Sequence, residues 1–461
     1  MSWQTILAAM LPEHLLLAGI IVLIGLEIAP SRPRGAFAVS LASVSAAAAA
    51  AVWLFHIGYA AAPFPGQYSV DPVAFLGKAI VLALAILVLL ISRSELAQRA
   101  FPILLLSSLY GICLLLSADS FLTLFLGLEL MSLPVYVLVL LAFRRPESAE
   151  ASLKYLVLGG TASATLLMGV SLLYGASGSL ALSVFAQALG SHGTMTGVAV
   201  VLVVVAFFLK AAVVPFHTWA PDAYEAAAVP VTAYMATIVK AGVLLAAVRL
   251  FGEVPLSRPM ADLLAILPLL SIVWGNLTAM RQRSFRRMIA YSSIAHAGYL
   301  FYAFLGEGPG RFQAVAFYVL VYGLSNLLAF AALPRDADDA ARDRLDNLKG
   351  LLQRDPFAAL MIGIAMLSLA GIPPFPGFVA KFLIFKNVMA AGFTLYAVLG
   401  LVGSYLGVYF YLRVIQYLFM NAEEPTAVRG AQERLALGAS FICLLAAILL
   451  AVFPGWMIDL M

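Results

Sequence analysis

Charged side chains are scarce in this sequence: Asp, Glu, Lys and Arg make up 11% of its 461 residues, whereas 63% are hydrophobic. A soluble globular domain has about 25% charged and about 45–50% apolar residues. The composition therefore excludes a soluble, disordered, collagen-like or disulfide-stapled protein. It indicates a polytopic membrane protein, because only a bilayer can cover so many apolar side chains.

Cysteine is nearly absent as well, which excludes several kinds of cofactor site. Cys113 and Cys443 stand alone in apolar runs and form no CxxC pair, so no iron–sulfur or zinc framework is predicted. We expect both to be small buried side chains. No glycine-rich phosphate loop is visible, so we expect no cofactor and no metal on this chain.

Positive charge is present only in small excess, with a net charge of +4. The basic residues lie at the ends of apolar runs rather than in one patch, so we expect no nucleic-acid partner. The first ten residues contain no Lys or Arg. We therefore expect no cleavable signal peptide.

Long apolar runs are abundant and predict an all-α membrane protein with fourteen transmembrane spans. The predicted spans are 11–29, 35–58, 72–92, 101–117, 119–143, 154–175, 196–220, 224–250, 261–280, 287–306, 311–333, 356–391, 393–420 and 434–459. We expect breaks in the seventh span at Pro215 and in the twelfth at GIPPFPG (371–377), because proline removes a backbone donor. A break at membrane depth is tolerated only where protein or water satisfies the freed carbonyl groups.

The basic residues between the spans predict the orientation of the chain. Counted with the span ends that flank them, loops after odd-numbered spans hold nineteen Lys and Arg residues, whereas loops after even-numbered spans hold only Arg258 and Arg311. Because positively charged loops stay in the cytoplasm, we predict that both termini lie on the outer, periplasmic side. Inside the spans, we expect Arg249, Lys78 and Lys386 to extend toward a membrane surface.

Two segments between the spans have their own predictions. The apolar segment Ala176–Ser191 is too short to cross a bilayer, and we interpret it as an external loop or a surface helix. The charged segment Pro334–Pro356 is interpreted as a solvated cytoplasmic link, with docking of a partner as the alternative.

Four charged residues lie deep inside predicted spans: Glu129 in the fifth, Lys210 in the seventh, Lys240 in the eighth and Lys381 in the twelfth. Each costs about 2.5–3.5 kcal/mol to insert into a bilayer. Buried ion pairs that fix helix register are one interpretation, but they leave two lysines without an acidic partner in a span. We favour a proton path at mid-membrane depth, since protonating one lysine disfavours protonation of the next.

Two histidines are candidates for a secondary proton path. His217 follows Lys210 by seven residues, which places both on one face of an unbroken helix. His296 lies in the tenth span near Ser292 and Tyr299, whose hydroxyl groups can hold water. The alternative is that each histidine is an ordinary core residue with satisfied hydrogen bonds.

The broken spans indicate an internal repeat. The seventh and twelfth spans are five apart, and each carries a lysine near its break. A repeat of five helices contains an odd number of crossings, so its second copy is inverted. Inverted repeats with discontinuous helices are a transporter architecture.

Four stretches of this sequence resemble the antiporter-like subunits of respiratory complex I. They are KAAVVPFHTWAPDAYEAAAVPVTAYMATIVKAG (210–242), GLELMSLPVYVL (127–138), RRMIAYSSIAHAGYL (286–300) and LAGIPPFPGFVAKF (369–382). The similarity covers most of residues 100–420. Within this family the chain most resembles the subunit N group of bacterial NADH–quinone oxidoreductases. The GLELMSLPVYVL motif and the lack of a long C-terminal lateral helix favour this group.

The resemblance implies an organisation of the chain. It implies an N-terminal three-helix segment (1–100), a first five-helix repeat (101–250), a second, inverted repeat (261–420) and a C-terminal helix (421–461). The expected location is a bacterial inner membrane.

The resemblance also implies a function. It implies a proton channel in which Glu129, Lys210, Lys240 and Lys381 pass protons, coupled to quinone reduction in other subunits. NAD, FMN, iron–sulfur clusters and quinone are expected on those partner subunits, which include paralogous antiporter-like subunits of the membrane arm. A cation/proton antiporter subunit or a membrane-bound hydrogenase subunit of the same fold remains an alternative, as does a structural spacer that moves no protons.

Overall fold

The computed structural model of the chain describes residues 3–28, 34–93, 100–142, 146–190, 193–252, 256–306, 308, 310–334, 343–421 and 434–461. Several basic residues that underlie the predicted orientation lie outside these ranges, as does one histidine: Arg32, Arg99, Arg144, Arg145, Arg335, Arg342, Arg429 and His192. The predicted orientation of the termini therefore stays a prediction.

Helices make up nearly all of the described structure. In chain order they are α1 (Trp3–Ala9), α2 (Leu11–Ile28), α3 (Arg34–His56), α4 (Pro72–Ile91), α5 (Ala100–Leu116), α6 (Phe121–Leu140), α7 (Glu147–Ser177), α8 (Leu182–Leu189), α9 (Thr194–Ala211), α10 (Trp219–Ala226), α11 (Val229–Tyr234), α12 (Lys240–Phe251), α13 (Arg258–Ala279), α14 (Phe285–Tyr302), α15 (Gly310–Ala332), α16 (Leu351–Arg354), α17 (Pro356–Ala370), α18 (Pro376–Ala390), α19 (Thr394–Phe419), α20 (Arg434–Val452) and α21 (Pro454–Leu460). A π-helical turn (Met235–Val239) joins α11 to α12, and 3₁₀ turns cover Ala303–Leu305 and Leu345–Leu348.

Twelve helices in the described ranges are long and apolar enough to cross a membrane, counting α11, the π turn and α12 as one. Two shorter apolar helices, α5 and α17, complete the fourteen predicted spans. The prediction of an all-α, polytopic fold with about fourteen spans is confirmed. Each span forms a helix because backbone groups in lipid must be satisfied within the segment.

Both predicted breaks are present. The seventh span is interrupted between α9 and α10, and the twelfth between α17 and α18. In the twelfth, Gly371 closes α17 in the left-handed conformation at φ +79°, a conformation that glycine adopts without steric cost. Pro376 then opens α18, where its missing N–H is an unpaired helix-end group in any case.

Contacts divide the chain into two compact units. The first comprises Met1–Leu141, Ser152–Lys210 and Ile238–Met260. The second comprises Ala142–Ala151, Ala211–Thr237 and Ala261–Met461. Lys210 is thus the last residue of its segment in the first unit, and the break that follows it belongs to the second.

A small hairpin in the first unit was not predicted. Strands β1 (Ala61–Phe64) and β2 (Tyr68–Val70) pair antiparallel between α3 and α4. Tyr68 and Val70 are buried in one apolar cluster with Phe75 of α4. The hairpin leads into α4, whose N-cap residue Asp71 accepts a hydrogen bond from the Ala74 N–H at 2.7 Å.

The described part of the segment Ala176–Ser191 contains a helix, α8. Within it, α8 buries Phe185 against Phe121 and Phe251, with ring centroids 6.4 and 5.4 Å away. Of the two predicted forms, the helix is correct, but one of its faces is buried in the first unit.

The interpretation of Pro334–Pro356 as a solvated link is wrong for its described part, in the second unit. Asp343, Leu345, Leu348 and Leu351 are all buried. The amide of Leu345 donates to the Arg283 carbonyl at 2.7 Å, and that of Phe285 to the Asp343 carbonyl at 2.9 Å. The leucines at 345, 348 and 351 are the residues that bury this segment. The charged residues around them led to the interpretation as a solvated link.

Candidate functional site

Glu129 and Lys210 form an ion pair inside the first unit. Glu129 lies in the middle of α6 and Lys210 in the last turn of α9. Their Oε1 and Nζ atoms are 3.2 Å apart, with side chains 22% and 6% exposed. Of the three lysines selected from the sequence, Lys210 is thus the one that pairs with Glu129.

Serine hydroxyl groups surround this pair. Lys210 Nζ also donates to Ser132 Oγ at 3.2 Å. Ser132 follows Glu129 by about one turn of α6. Ser163 of α7 donates to the same Oε1 of Glu129 that Lys210 contacts. A hydroxyl both donates and accepts, so the two serines give the pair partners that can pass a proton.

The end of α9 places Lys210 at a favourable electrostatic position. The last carbonyl groups of a helix carry partial negative charge, which stabilises a cation in the final turn. The helix stops at Ala211, and Ala212 has φ +61°, an uncommon conformation for a residue with a side chain. Such outliers cluster at functional sites.

Lys240 begins α12 and is buried in the first unit. The π-helical turn Met235–Val239 immediately precedes it. Single π turns inside α-helices are rare and occur frequently at functional sites. Two residues later, Gly242 lies so close to α5 that an added Cβ would be 2.9 Å from Ile112, so this part of α12 packs tightly.

Lys381 of α18 reaches back across the break in the twelfth span. Its Nζ donates to the Ala370 carbonyl at 2.9 Å and to Ser404 Oγ at 3.1 Å. Ala370 is the last residue of α17, so the lysine binds the negative end of that helix. The Tyr299 ring lies below the ammonium group, 5.0 Å from its centroid, in the range of a cation–π contact.

Two glycines allow this close approach. A Cβ added at Gly371 would lie 2.8 Å from Lys381 Cδ, and one added at Gly377 would lie 1.8 Å from the Ser368 carbonyl oxygen. No side chain fits at Gly377 without moving backbone. The break therefore has a fixed shape that holds the lysine against the end of α17.

His296 of α14 is held by tyrosines on two other helices. Its Nε2 is 3.0 Å from Tyr411 Oη and its Nδ1 is 2.8 Å from Tyr318 Oη. Tyr411 also contacts Ser292 at 2.6 Å. The predicted water-holding neighbour Tyr299 instead packs its ring edge-on against the histidine at 5.4 Å.

A small cavity of about 10 Å³ lies between His296 and Lys381. Tyr322, Ser325 and Ser368 also line it, and the two serine hydroxyls are 2.8 Å apart. A cavity of this size holds about one water molecule. The second unit thus brings His296 and Lys381 together around a polar space.

His217 lies in the turns between α9 and α10, in the second unit. The same-face argument for His217 and Lys210 does not hold, because the helix ends at Ala211. The imidazole packs edge-on to Trp274 with ring centroids 6.5 Å apart.

Sequence reasoning missed a second buried ion pair. Lys78, expected to extend to the membrane surface, is buried in the first unit and pairs with Glu13. Lys386 is exposed, and Arg249 pairs with Asp71 at 3.2 Å. Glu13 lies two residues into the first apolar run, where a carboxylate suggests a surface position. Both cysteines are buried and free, as predicted.

Among the described residues, no group of three or more His, Cys, Asp or Glu side chains is arranged to hold a metal ion.

Comparison with known proteins gives consistent relatives. The family model described as "NADH:quinone oxidoreductase/Mrp antiporter, TM" matches residues 118–407. The chain is 40% identical to NADH-quinone oxidoreductase subunit N of Pelobacter propionicus, over 91% of this chain and 90% of the relative. It is 34% identical to subunit N 1 of Aquifex aeolicus, over 100% and 98% of the two chains.

Solved structures share the fold. A chain of respiratory complex I from Thermus thermophilus, solved with bound aureothin, matches with a TM-score of 0.84 at 35% identity, over 97% of this chain and 98% of that one. A chain of the Mrp complex from Dietzia matches with a TM-score of 0.84 at 23% identity, over 98% and 96%, which shows the fold alone. The chain belongs to the NADH:quinone oxidoreductase/Mrp antiporter transmembrane family, and within it to the NADH-quinone oxidoreductase subunit N proteins.

Proposed function

We propose that this chain is a proton-translocating membrane-arm subunit of an NADH–quinone oxidoreductase, and that it moves protons while quinone is reduced in other subunits. It acts as part of a translocase and performs no redox chemistry itself. The relatives named subunit N support the assembly. The partly buried Glu129–Lys210 pair beside a broken helix is the observation that carries proton movement.

The chemistry of the first unit supports a proton-holding role for this pair. Lys210 holds the proton as an ammonium group, stabilised by Glu129 and by the carbonyl end of α9. Ser132 and Ser163 accept or donate a hydrogen bond as the proton leaves. Lys240 is the next proton carrier in this proposal, since its burial penalises a permanent charge.

The chemistry of the second unit supports proton movement within that unit as well. Lys381 releases its proton into the cavity that it shares with His296. A histidine with a hydroxyl on each ring nitrogen can take a proton on one side and give one up on the other. In this proposal His296 and His217 are the secondary path.

The proposal includes the surroundings of the chain. NAD, FMN, iron–sulfur clusters and quinone are bound by partner subunits, and paralogous antiporter-like subunits adjoin this one. The chain crosses a bacterial inner membrane with both termini on the periplasmic side. Residues 1–100, 101–250, 261–420 and 421–461 form the N-terminal segment, the two inverted repeats and the C-terminal helix.

A cation/proton antiporter or hydrogenase subunit is the alternative with the same fold. Identities of 34–40% to subunit N relatives, against 23% to the Mrp chain, favour the oxidoreductase. Purifying the chain with its partners and identifying them by mass spectrometry separates the two. Hydrogenase or small antiporter subunits in place of NADH-oxidising ones would contradict the proposal.

Replacing Lys210 by Ala tests proton movement. We expect Lys210→Ala to lower NADH-driven proton translocation in membrane vesicles, measured per assembled complex. Lys386→Ala is the matched control, because it removes an exposed lysine from α18. Full NADH oxidation together with full proton translocation in Lys210→Ala would contradict the proposed role.

A further inference from the structure

Glu13 and Lys78 are a fully buried ion pair in the first unit. Glu13 lies in the first turn of α2, and Lys78 lies two turns into α4. Glu13 Oε1 and Lys78 Nζ are 2.6 Å apart, and neither side chain is exposed. Burying a carboxylate and an ammonium group is costly even when they are paired, so the pair needs an explanation beyond stability.

Tyr68 of the hairpin connects the two charges by hydrogen bonds of one direction. Lys78 Nζ donates to Tyr68 Oη at 3.0 Å, and Tyr68 Oη donates to Glu13 Oε1 at 2.7 Å. The three groups form a triangle, in which the hydroxyl links donor and acceptor beside their direct contact. The hydroxyl is the one side-chain group of the three that can donate and accept at once.

The second carboxylate oxygen of Glu13 is available for a proton. Oε2 is buried and has no hydrogen-bond partner among the described residues. An ionised carboxylate normally satisfies both oxygens when it is buried. Protonation of the carboxylate at either oxygen would remove the charge that is left unsatisfied.

The pair lies at nearly the same membrane depth as Lys240. The Arg249–Asp71 ion pair fixes the last turn of α12 beside the start of α4, so these helices run antiparallel. Lys78 is seven residues from Asp71 and Lys240 is nine from Arg249. At a rise of 1.5 Å per residue, Lys78 and Lys240 lie about 10 and about 13 Å along their helices from the Arg249–Asp71 ion pair.

Lys78 also adjoins the helices that carry the rest of the site in this unit. Its neighbour Gly77 packs so that an added Cβ would be 3.4 Å from Leu116 of α5 and 3.7 Å from Leu245 of α12. The lysine of α4 is therefore next to α12, which begins with Lys240, rather than at the lipid surface.

We propose that Glu13, Tyr68 and Lys78 form an additional proton-exchange site of the first unit, which hands protons between the buried lysines and the membrane face that carries the hairpin. In the step, the N–H bond of Lys78 breaks as Tyr68 Oη takes its proton. The Tyr68 O–H bond breaks in turn, and its proton bonds to Oε1 of Glu13. The ion pair becomes a neutral amine and a neutral acid. This inference rests on the proposed proton translocation by the chain.

The test uses the assembled complex and a variant that removes both charges at once. A structural pair can be replaced by neutral residues with little loss, because no buried charge is left unpaired. We therefore expect Glu13→Gln/Lys78→Met to assemble to the wild-type level. We expect its NADH-driven proton translocation to fall about tenfold or more, since a positioned proton donor speeds transfer by roughly 10²–10⁴-fold. Glu27→Gln, which neutralises an exposed carboxylate on α2, should change nothing.

Tyr68→Phe is the second variant and retains the ion pair. We expect it to assemble and to lose proton translocation as well, because it lacks the hydroxyl that accepts from Lys78 and donates to Glu13. If the double variant fails to assemble, Tyr68→Phe alone tests whether the three residues exchange protons. Wild-type translocation in whichever of the two assembles would overturn the inference. Lys210→Ala, measured in parallel, separates the two proposals: a loss there alone overturns only this site, whereas no loss there refutes translocation by the chain.

Discussion

Replacing Arg286 by Met should release the described part of the segment between α15 and α17, residues 343–355, which we call the connector. Arg286 is fully buried, and its Nε lies 3.2 Å from Oδ2 of Asp343, which is 2% exposed. Its NH1 also donates to the Ala227 carbonyl at 2.5 Å. Breaking a buried pair by removing one partner costs about 3–5 kcal/mol, because the other charge is left without compensation.

The double variant Arg286→Met/Asp343→Asn separates the cost of the unpaired Asp343 charge from the cost of the lost hydrogen bond to Ala227. It removes both charges and leaves the Ala227 carbonyl without this donor. A buried acceptor that loses its partner costs about 1–3 kcal/mol. We therefore expect the double variant to recover part of the loss and to remain less stable than the wild type.

Amide hydrogen exchange measures this opening locally. The Phe285 and Leu345 amides are bonded across the junction between α14 and the connector, so they exchange only when it opens. A loss of about 3–5 kcal/mol speeds their exchange by roughly 10²–10⁴-fold. The control Arg344→Met breaks an exposed pair, with Arg344 and Asp346 51% and 47% exposed, which is worth at most about 1 kcal/mol. Equal exchange rates in Arg286→Met and Arg344→Met would refute this account of the connector.

Two further predictions concern Asp343 and Gly377. Burial raises the pKa of Asp343 to about 6; the folded state thus holds that proton more tightly than the unfolded state, and stability falls as pH rises from about 4 to about 6. The free energy that protects the Leu345 amide from exchange should fall by up to about 3 kcal/mol over that window, relative to the same amide in Asp343→Asn. An equal pH dependence of protection in the wild type and in Asp343→Asn would contradict this. Gly377→Ala should destabilise the complex by about 1–3 kcal/mol or more, since the new Cβ meets a backbone oxygen; a thermal midpoint equal to that of Gly363→Ala, where a Cβ meets open space, would contradict this.

The spans and their breaks could be predicted because their signals are local. An apolar run of about twenty residues fixes a membrane helix by length alone. The prolines at 373, 374 and 376 fix a break by removing donors. The hairpin at 61–70 was missed because strands of four and three residues are too short to show an alternating pattern.

The candidate site was predictable in its charges but not in its partners. A lysine in mid-membrane is conspicuous by its cost, so Lys210, Lys240 and Lys381 could be selected from the sequence. Ser163 and Tyr411 could not be selected, since a hydroxyl in an apolar run has no distinguishing pattern until folding brings it to a charge.

Glu13 and Lys78 show the same limit at the ends of spans. Each lies within two turns of a helix end, where a charged side chain can reach the surface. Only the packing of α2 and α4, together with the hairpin across their ends, shows that both are buried.

Proton transfer by Glu129, Lys210, Lys240 and Lys381 is tested by replacing each of them in turn. Proton translocation and NADH oxidation are recorded together in vesicles for Glu129→Gln, Lys210→Met, Lys240→Met and Lys381→Met, one variant at a time in the assembled complex. We predict fewer protons moved per complex and unit time in every variant, with Lys386→Met unchanged. Wild-type translocation in all four would contradict the account and leave the chain a structural spacer.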